Sequence, residues 1–136
     1  MSSGKIFTTL ATDSELEALG VQNVFSEYSA ETIPREGLTI ILRWGDEDYR
    51  RAVKTGPRDL SVWVHSPMEN GTDYTQINRV LDRVKNILEP MVHEVGDDGV
   101  QVTSAEKVGG SRNLRDPGFN TITRYNRYAV LLRTVV

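Results

Sequence analysis

The chain is predicted to fold as a single α+β domain spanning residues 1–136. Two helices would cover one face of a mixed or antiparallel sheet of about four or five strands, in the order α-β-β-α-β-β. Three observations carry this prediction. Two central segments alternate apolar and polar residues like strands, a long amphipathic stripe follows them, and the C-terminus alternates again.

The first element is a short helical pattern in which Ile6, Phe7 and Leu10 share a face. Thr12-Asp-Ser-Glu15 reads as a capping box that restarts a helix through Leu16 and Leu19, and Gly20 ends it. A short strand is expected within Val21–Tyr28, then a loop through Pro34 to Gly37. From Leu38 the alternation is clean, with Leu38, Ile40, Leu42 and Trp44 opposite Thr39, Ile41 and Arg43. A second such strand sets Leu60, Val62 and Val64 against Ser61, Trp63 and His65. Between the two lies "GDEDYRRAVKTGPRD", polar and broken by Gly45, Gly56 and Pro57, which predicts a long hairpin arm or loop.

The strongest helix pattern follows. Ile77, Val80, Leu81, Val84, Ile87 and Leu88 form one apolar stripe, with Gln76, Arg79, Asp82, Arg83, Lys85, Asn86 and Glu89 on the opposite, solvated side. Asp73 is the expected N-cap, and Pro90 lies beyond the last turn. "GDDG" at Gly96–Gly99 then turns into a strand from Val100 to about Val108. A glycine- and arginine-bearing loop, "GGSRNLRDPGFNT", leads to a last strand from Ile122. Tyr128, Val130 and Leu132 of that strand join the even-numbered residues of the central strands under the helices.

Composition bounds the function. The chain has 38% hydrophobic and 26% charged residues and a mean hydropathy of −0.39, typical of a globular domain. It has no cysteine, which excludes disulfides and thiolate metal sites. No apolar run approaches the roughly 20 residues of a membrane span, so no membrane association is expected. A net charge of −3 argues against sequence-specific nucleic-acid binding. Charge is nevertheless polarised. Asp13, Glu15, Glu17, Glu27, Glu31 and Glu36 dominate the N-terminal part; Arg112, Arg115, Arg124, Arg127 and Arg133 dominate the C-terminal part. Such polarity suits self-association or a charged partner, or is simply two solvated ends.

His65 and Ser66 are neighbours on a strand, so their side chains point to opposite faces, and no Gly-x-Ser-x-Gly elbow surrounds them. Asp46, Glu47 and Asp48 lack calcium-loop spacing, and His65 and His93 have no spaced carboxylate partner for zinc. Gly109-Gly110 is not followed by the Gly-Lys-Ser/Thr of a phosphate loop. The basic and aromatic residues of Arg124–Tyr128 divide between two strand faces, which weakens them as a nucleic-acid surface. No catalytic residue, cofactor or metal is therefore expected. The face away from the helices, carrying Ile41, Arg43, Trp63, His65, Leu131 and Arg133, has the mixed character of a protein–protein contact.

Over most of its length the chain resembles the tail terminator (tail completion) proteins of long-tailed bacteriophages. The resemblance is carried by "LATDSELEALGVQNVFSEYSAETIPREGLTIILRW", by "LSVWVHSPMENGTDYTQINRVLDRVKNIL" and by the closing "TRYNRYAVLLRT". It implies a non-enzymatic virion protein at the tail–neck junction, assembled in the host cytoplasm. Such a protein forms a homo-hexameric ring on the major tail tube protein, ends tail polymerisation and presents a surface to a head-completion or connector protein, with DNA passing through the ring. Ile41, Arg43, Trp63, His65, Leu131, Arg133, Arg112 and Arg115 are the expected contact residues. Other readings are a different neck component such as a head-closure protein, a ligand-binding α+β domain, and a small hydrolase using His65.

Overall fold

The structure is a computed structural model describing residues 2–45 and 57–135. Its elements run α1 (Gly4–Ala11), α2 (Ser14–Ala18), β1 (Val21–Ser26), β2 (Leu38–Trp44), β3 (Arg58–Pro67), α3 (Thr75–Leu88), β4 (Glu94–Val95), β5 (Val100–Gly110), β6 (Leu114–Asp116) and β7 (Thr121–Thr134). A single 3-10 turn, Met68–Asn70, precedes α3. The α+β class stands, but the described residues form a seven-stranded sheet rather than one of four or five strands, and three α-helices rather than two. The stretch between β2 and β3, with Asp46, Glu47 and Asp48, lies outside the described residues.

The strand order is β1-β2-β3-β7-β5-β4, with β6 also pairing β7. β1 runs parallel to β2, and the other pairings are antiparallel. Two of the extra strands were invisible to periodicity because they are two and three residues long, β4 and β6. β6 continues the line of β5 along the same edge of β7. Gly110 faces Asn126 and Leu114 faces Thr123, with Ser111–Asn113 bulging out between them. The bulge is pinned on Ser111, whose N–H donates to the Tyr125 carbonyl while its Oγ accepts from the Tyr125 N–H.

The helix-side core follows the predicted alternation. Ile40, Leu42, Leu60, Val62, Val64, Tyr128 and Val130 meet Ile77, Val80, Leu81, Val84 and Leu88 of α3, all buried. Ile6 and Leu10 of α1 and Leu16 of α2 complete it. α1 touches both β1 and β5, so the sheet curls around it. Ser3 caps α1 by accepting from the Ile6 N–H. Two expected caps differ. Asp13, not Thr12, caps α2 through the Leu16 N–H, because the helix begins one residue later than the capping box implied. α3 starts at Thr75 with Tyr74 at the cap position, while Asp73 accepts from the Thr75 N–H and hydroxyl in a turn just ahead of it. Gly37 is required where it stands: its φ is +67°, and a Cβ would meet the Gln22 side chain and lie 2.7 Å from the Gly20 carbonyl. Among the described residues no helix is long and apolar enough to cross a membrane.

Candidate assembly surface

The sheet face away from the helices is laid out by register. One row crosses the sheet as Phe25, Ile41, Trp63 and Tyr125; the next as Asn23, Thr39, His65 and Thr123. Both rows lie beneath loops of the same chain. Trp63 packs on Tyr125 with ring centroids 4.3 Å apart, and Phe25 stacks on Tyr28 at 4.3 Å. Phe119 stands edge-on to His65 at 5.3 Å and is 6.3 Å from Tyr28. The cover therefore comes from the β1–β2 loop, carrying Tyr28, and the β6–β7 turn, carrying Phe119. Each turns through a left-handed residue, Glu27 at φ 54° and Asn120 at φ 55°.

Arg35 ties the cover down. Its Nε and Nη2 lie 2.7 Å from the two Glu69 carboxylate oxygens. Its Nη1 and Nη2 also donate to the Phe119 and Asn120 carbonyls, at 2.6 and 2.9 Å. One guanidinium thus joins the β1–β2 loop, the 3-10 turn and the β6–β7 turn. The hydrogen bond from Arg35 holds the Glu69 carboxyl down to about 2. Sequence reasoning missed this group because Arg35, Glu69 and Phe119 lie in aperiodic segments.

This arrangement corrects two expected contact residues. Ile41 is 0% exposed and His65 only 3%, so neither presents its side chain to another molecule. Alternation put them on the far face correctly; a loop without periodic signal covers that face. His65 shares a 2.8 Å hydrogen bond with the Thr121 hydroxyl through Nδ1. Burial pushes its imidazole down to about 4, with Asp116 pulling the other way and Arg43 adding to the depression. A neutral imidazole held by threonine under an aromatic cover has the surroundings of a structural histidine.

The remaining six residues fall in three places. Trp63 and Leu131 are half-buried, Leu131 far from the aromatic rows towards the other end of β7. Arg43 is exposed beside the cover and donates to the Tyr28 carbonyl at 3.3 Å. Arg133 is exposed near the end of β7, opposite Gln101. Arg112 sits on the bulge and Arg115 on β6, both exposed, and neither makes an ion pair among the described residues. The eight residues thus form no single patch. The lower half of the face, which no described loop covers, carries Arg43, Ser61, Asp59, Arg127, Leu131 and Arg133, with Arg127 3.4 Å from Asp59.

On the opposite, helix-side face β7 carries a half-buried arginine and a fully buried tyrosine. Arg124 donates to Asn78 of α3 at 2.6 Å and to the Ser111 carbonyl at 2.8 Å. Tyr128 is 0% exposed, and burial pushes its phenol up to about 12. These contacts explain why the basic and aromatic residues of Arg124–Tyr128 do not form one surface. Among the described residues no group of three or more His, Asp or Glu side chains is placed to hold a metal ion. Comparison with protein-family models and with curated protein sequences finds no match to this chain.

Proposed function

We propose that the chain is a structural tail terminator that caps a bacteriophage tail tube as a homo-oligomeric ring and offers its other side to a head connector. The single observation that carries the reading is the sheet's asymmetry. Its two ends are unlike one another: β1 carries no charged residue, whereas the β5–β4 end carries Glu94, Glu106 and Lys107, with Arg112 on the bulge just past β5. A closed ring joins unlike surfaces on successive copies, so a chain of this kind suits it. The three segments that carry the resemblance form the end of α1 with α2, β1 and β2, then β3 to α3, and β7, of one continuous sheet-and-helix body.

The hydrolase alternative loses support from the surroundings of His65. Its ring is paired with Thr121 and covered by Phe119, and Ser66 belongs to the other face of β3. The seven-stranded sheet favours the other neck-component reading, since a head-closure protein would be richer in strand. The 14-residue helix α3 between β3 and β5 favours the terminator. The test is to add the protein to polymerising major tail tube protein and measure tube lengths by electron microscopy. A terminator narrows and shortens the length distribution and is found at one tube end; unchanged lengths and unlabelled ends would overturn the reading.

A further inference from the structure

We propose that one copy pairs with the next edge to edge, the free edge of β1 running antiparallel to the free edge of β5 in a second copy of this chain. The inference deepens the ring reading and rests on it for its purpose, but its observations are separate.

Among the described residues both edges lack a partner strand, although α1 touches β1 and β5. β1 pairs with β2 alone. β5 meets β4 only at Gln101 and Val102, so among the described residues Ser104–Gly110 has β7 on one side and no strand on the other. An unpaired edge presents a row of backbone donors and acceptors that another strand can take up. Folds commonly blunt such an edge with charge or proline, yet β1 reads VQNVFS and has neither. The Glu27 N–H donates to Leu42 of β2, so by alternation the Ser26 and Val24 N–H groups point away from β2. Open grooves run along this side of β1, with Phe7 and Leu10 of α1 on their far wall. β5 is less plain: it carries Glu106 and Lys107 and register shifts at both ends, but Val108 is 52% exposed on it.

Direction then brings one pair of opposite charges together. Counting through the pairings, β2 runs with β1, β3 against it, β7 with it and β5 against it. A rotation about an axis along the strands preserves direction, so β5 of a neighbouring copy would meet β1 antiparallel. That places the start of β1, next to α2, beside the end of β5, next to the Ser111–Asn113 bulge. Glu17 of α2 is exposed and outside every ion pair among the described residues, as is Arg112 of the bulge. No lysine or arginine occurs from Ile6 to Pro34, whereas the other edge has Arg112 and Arg115 past its Gly110 end, Glu106 and Lys107 along it, and Glu94, Asp97 and Asp98 at its Val100 end, so the opposite charges meet at the Gly110 end alone. Parallel pairing would separate these groups by the length of the strand. Each added copy covers one edge and leaves one, and only a closed ring leaves none.

The chain has no cysteine, so introduced thiols report on position cleanly. Ala18 and Asn113 are exposed beside Glu17 and Arg112 and leave both charges in place. Concentrated protein, without tail tubes, is treated with a short bismaleimide. An equimolar mixture of Ala18→Cys and Asn113→Cys chains should give a cross-linked dimer, each variant alone none, and the double variant a ladder. Adding Ser26→Pro, which removes an outward N–H, should reduce the ladder at least tenfold while the circular dichroism spectrum is unchanged. Glu17→Arg should reduce it as well, and Arg112→Glu in the same chain should restore it. No product in the mixture, equal product from either single variant, or a ladder indifferent to Ser26→Pro and Glu17→Arg would overturn the proposal. A ladder without tube termination would sink the tail reading and keep the edge pairing. Termination without a ladder would do the reverse.

Discussion

Arg83 of α3 forks onto Asp13 at the start of α2, Nε 3.0 Å from Oδ2 and Nη2 2.8 Å from Oδ1. The same carboxylate accepts from the Leu16 N–H, so one side chain caps a five-residue helix and docks it on α3. Glu15 adds a 3.3 Å contact to the same guanidinium. Helices this short are not stable alone, so α2 depends on these ties.

Asp13→Ala should destabilise the fold by about 1–2 kcal/mol through loss of the cap, with the dock lost as well. Arg83→Ala should lower the urea midpoint by less, because the cap survives. Equal losses from both would show that the cap contributes nothing. The hydrogen bond from Arg83 holds the Asp13 carboxyl below its ordinary value. Its contribution is therefore present above about pH 4 and fades as pH falls through the lowered value.

The Arg83–Asp13 tie also shows where sequence reading stopped. Periodicity placed Arg83 on the polar side of α3, and the stripe it opposes is buried as expected except at Ile87, which is half-buried. Periodicity says which way a side chain points but not what stands there. The partner lies 70 residues away in sequence, and so no local signal names it. Gln76 is similar: it reads as solvated, yet donates to the Leu19 carbonyl. The far sheet face failed for a related reason. Alternation grouped Ile41, Trp63 and His65 correctly, but the covering residues Tyr28 and Phe119 belong to loops whose path no period records.

The imidazole of His65 sets a pH dependence. Its folded value near 4 lies below the ordinary 6.5, so the unfolded chain binds a proton first as pH falls. Stability is full above about pH 6.5 and declines until pH reaches about 4. Between pH 7.5 and 5 the loss should be about 2 kcal/mol, in a range where carboxylates hardly titrate. Urea unfolding of the wild type and of His65→Gln at both pH values measures it. The variant should lose most of this dependence; an unchanged slope would place its source elsewhere.

On α3, Leu81 and Val84 are buried in the helix-side core, Val84 fully. Leu81→Ala should cost about 2–4 kcal/mol, and Val84→Ala somewhat less because fewer methyl groups leave. Arg79 is exposed, and Arg79→Ala should shift stability by less than about 0.5 kcal/mol. Chemical denaturation ranks the three. A cost at Arg79 matching that at Leu81 would mean that the helix turns a different face to the sheet.

Trp63 separates a contact residue from a core residue. Its place between Ile41 and Tyr125 in the register gives it neighbours on both sides, and its ring lies 4.3 Å from that of Tyr125. His65, 6.2 Å away, continues the layer towards Phe119. Half of an aromatic layer would lose its packing if the indole were removed. Trp63→Ala should therefore destabilise the isolated chain by about 2–4 kcal/mol, slightly below the range for a fully buried aromatic. Trp63→Phe, which keeps a ring against Tyr125, should recover more than half of that loss. The edge pairing of β1 and β5 involves neither face of this layer. The cross-linking ladder of the Ala18→Cys, Asn113→Cys chain should thus persist in Trp63→Phe under conditions where the protein is folded. A variant that melts like the wild type yet gives no ladder would return Trp63 to the subunit contact and move the interface from the sheet edges to the sheet face.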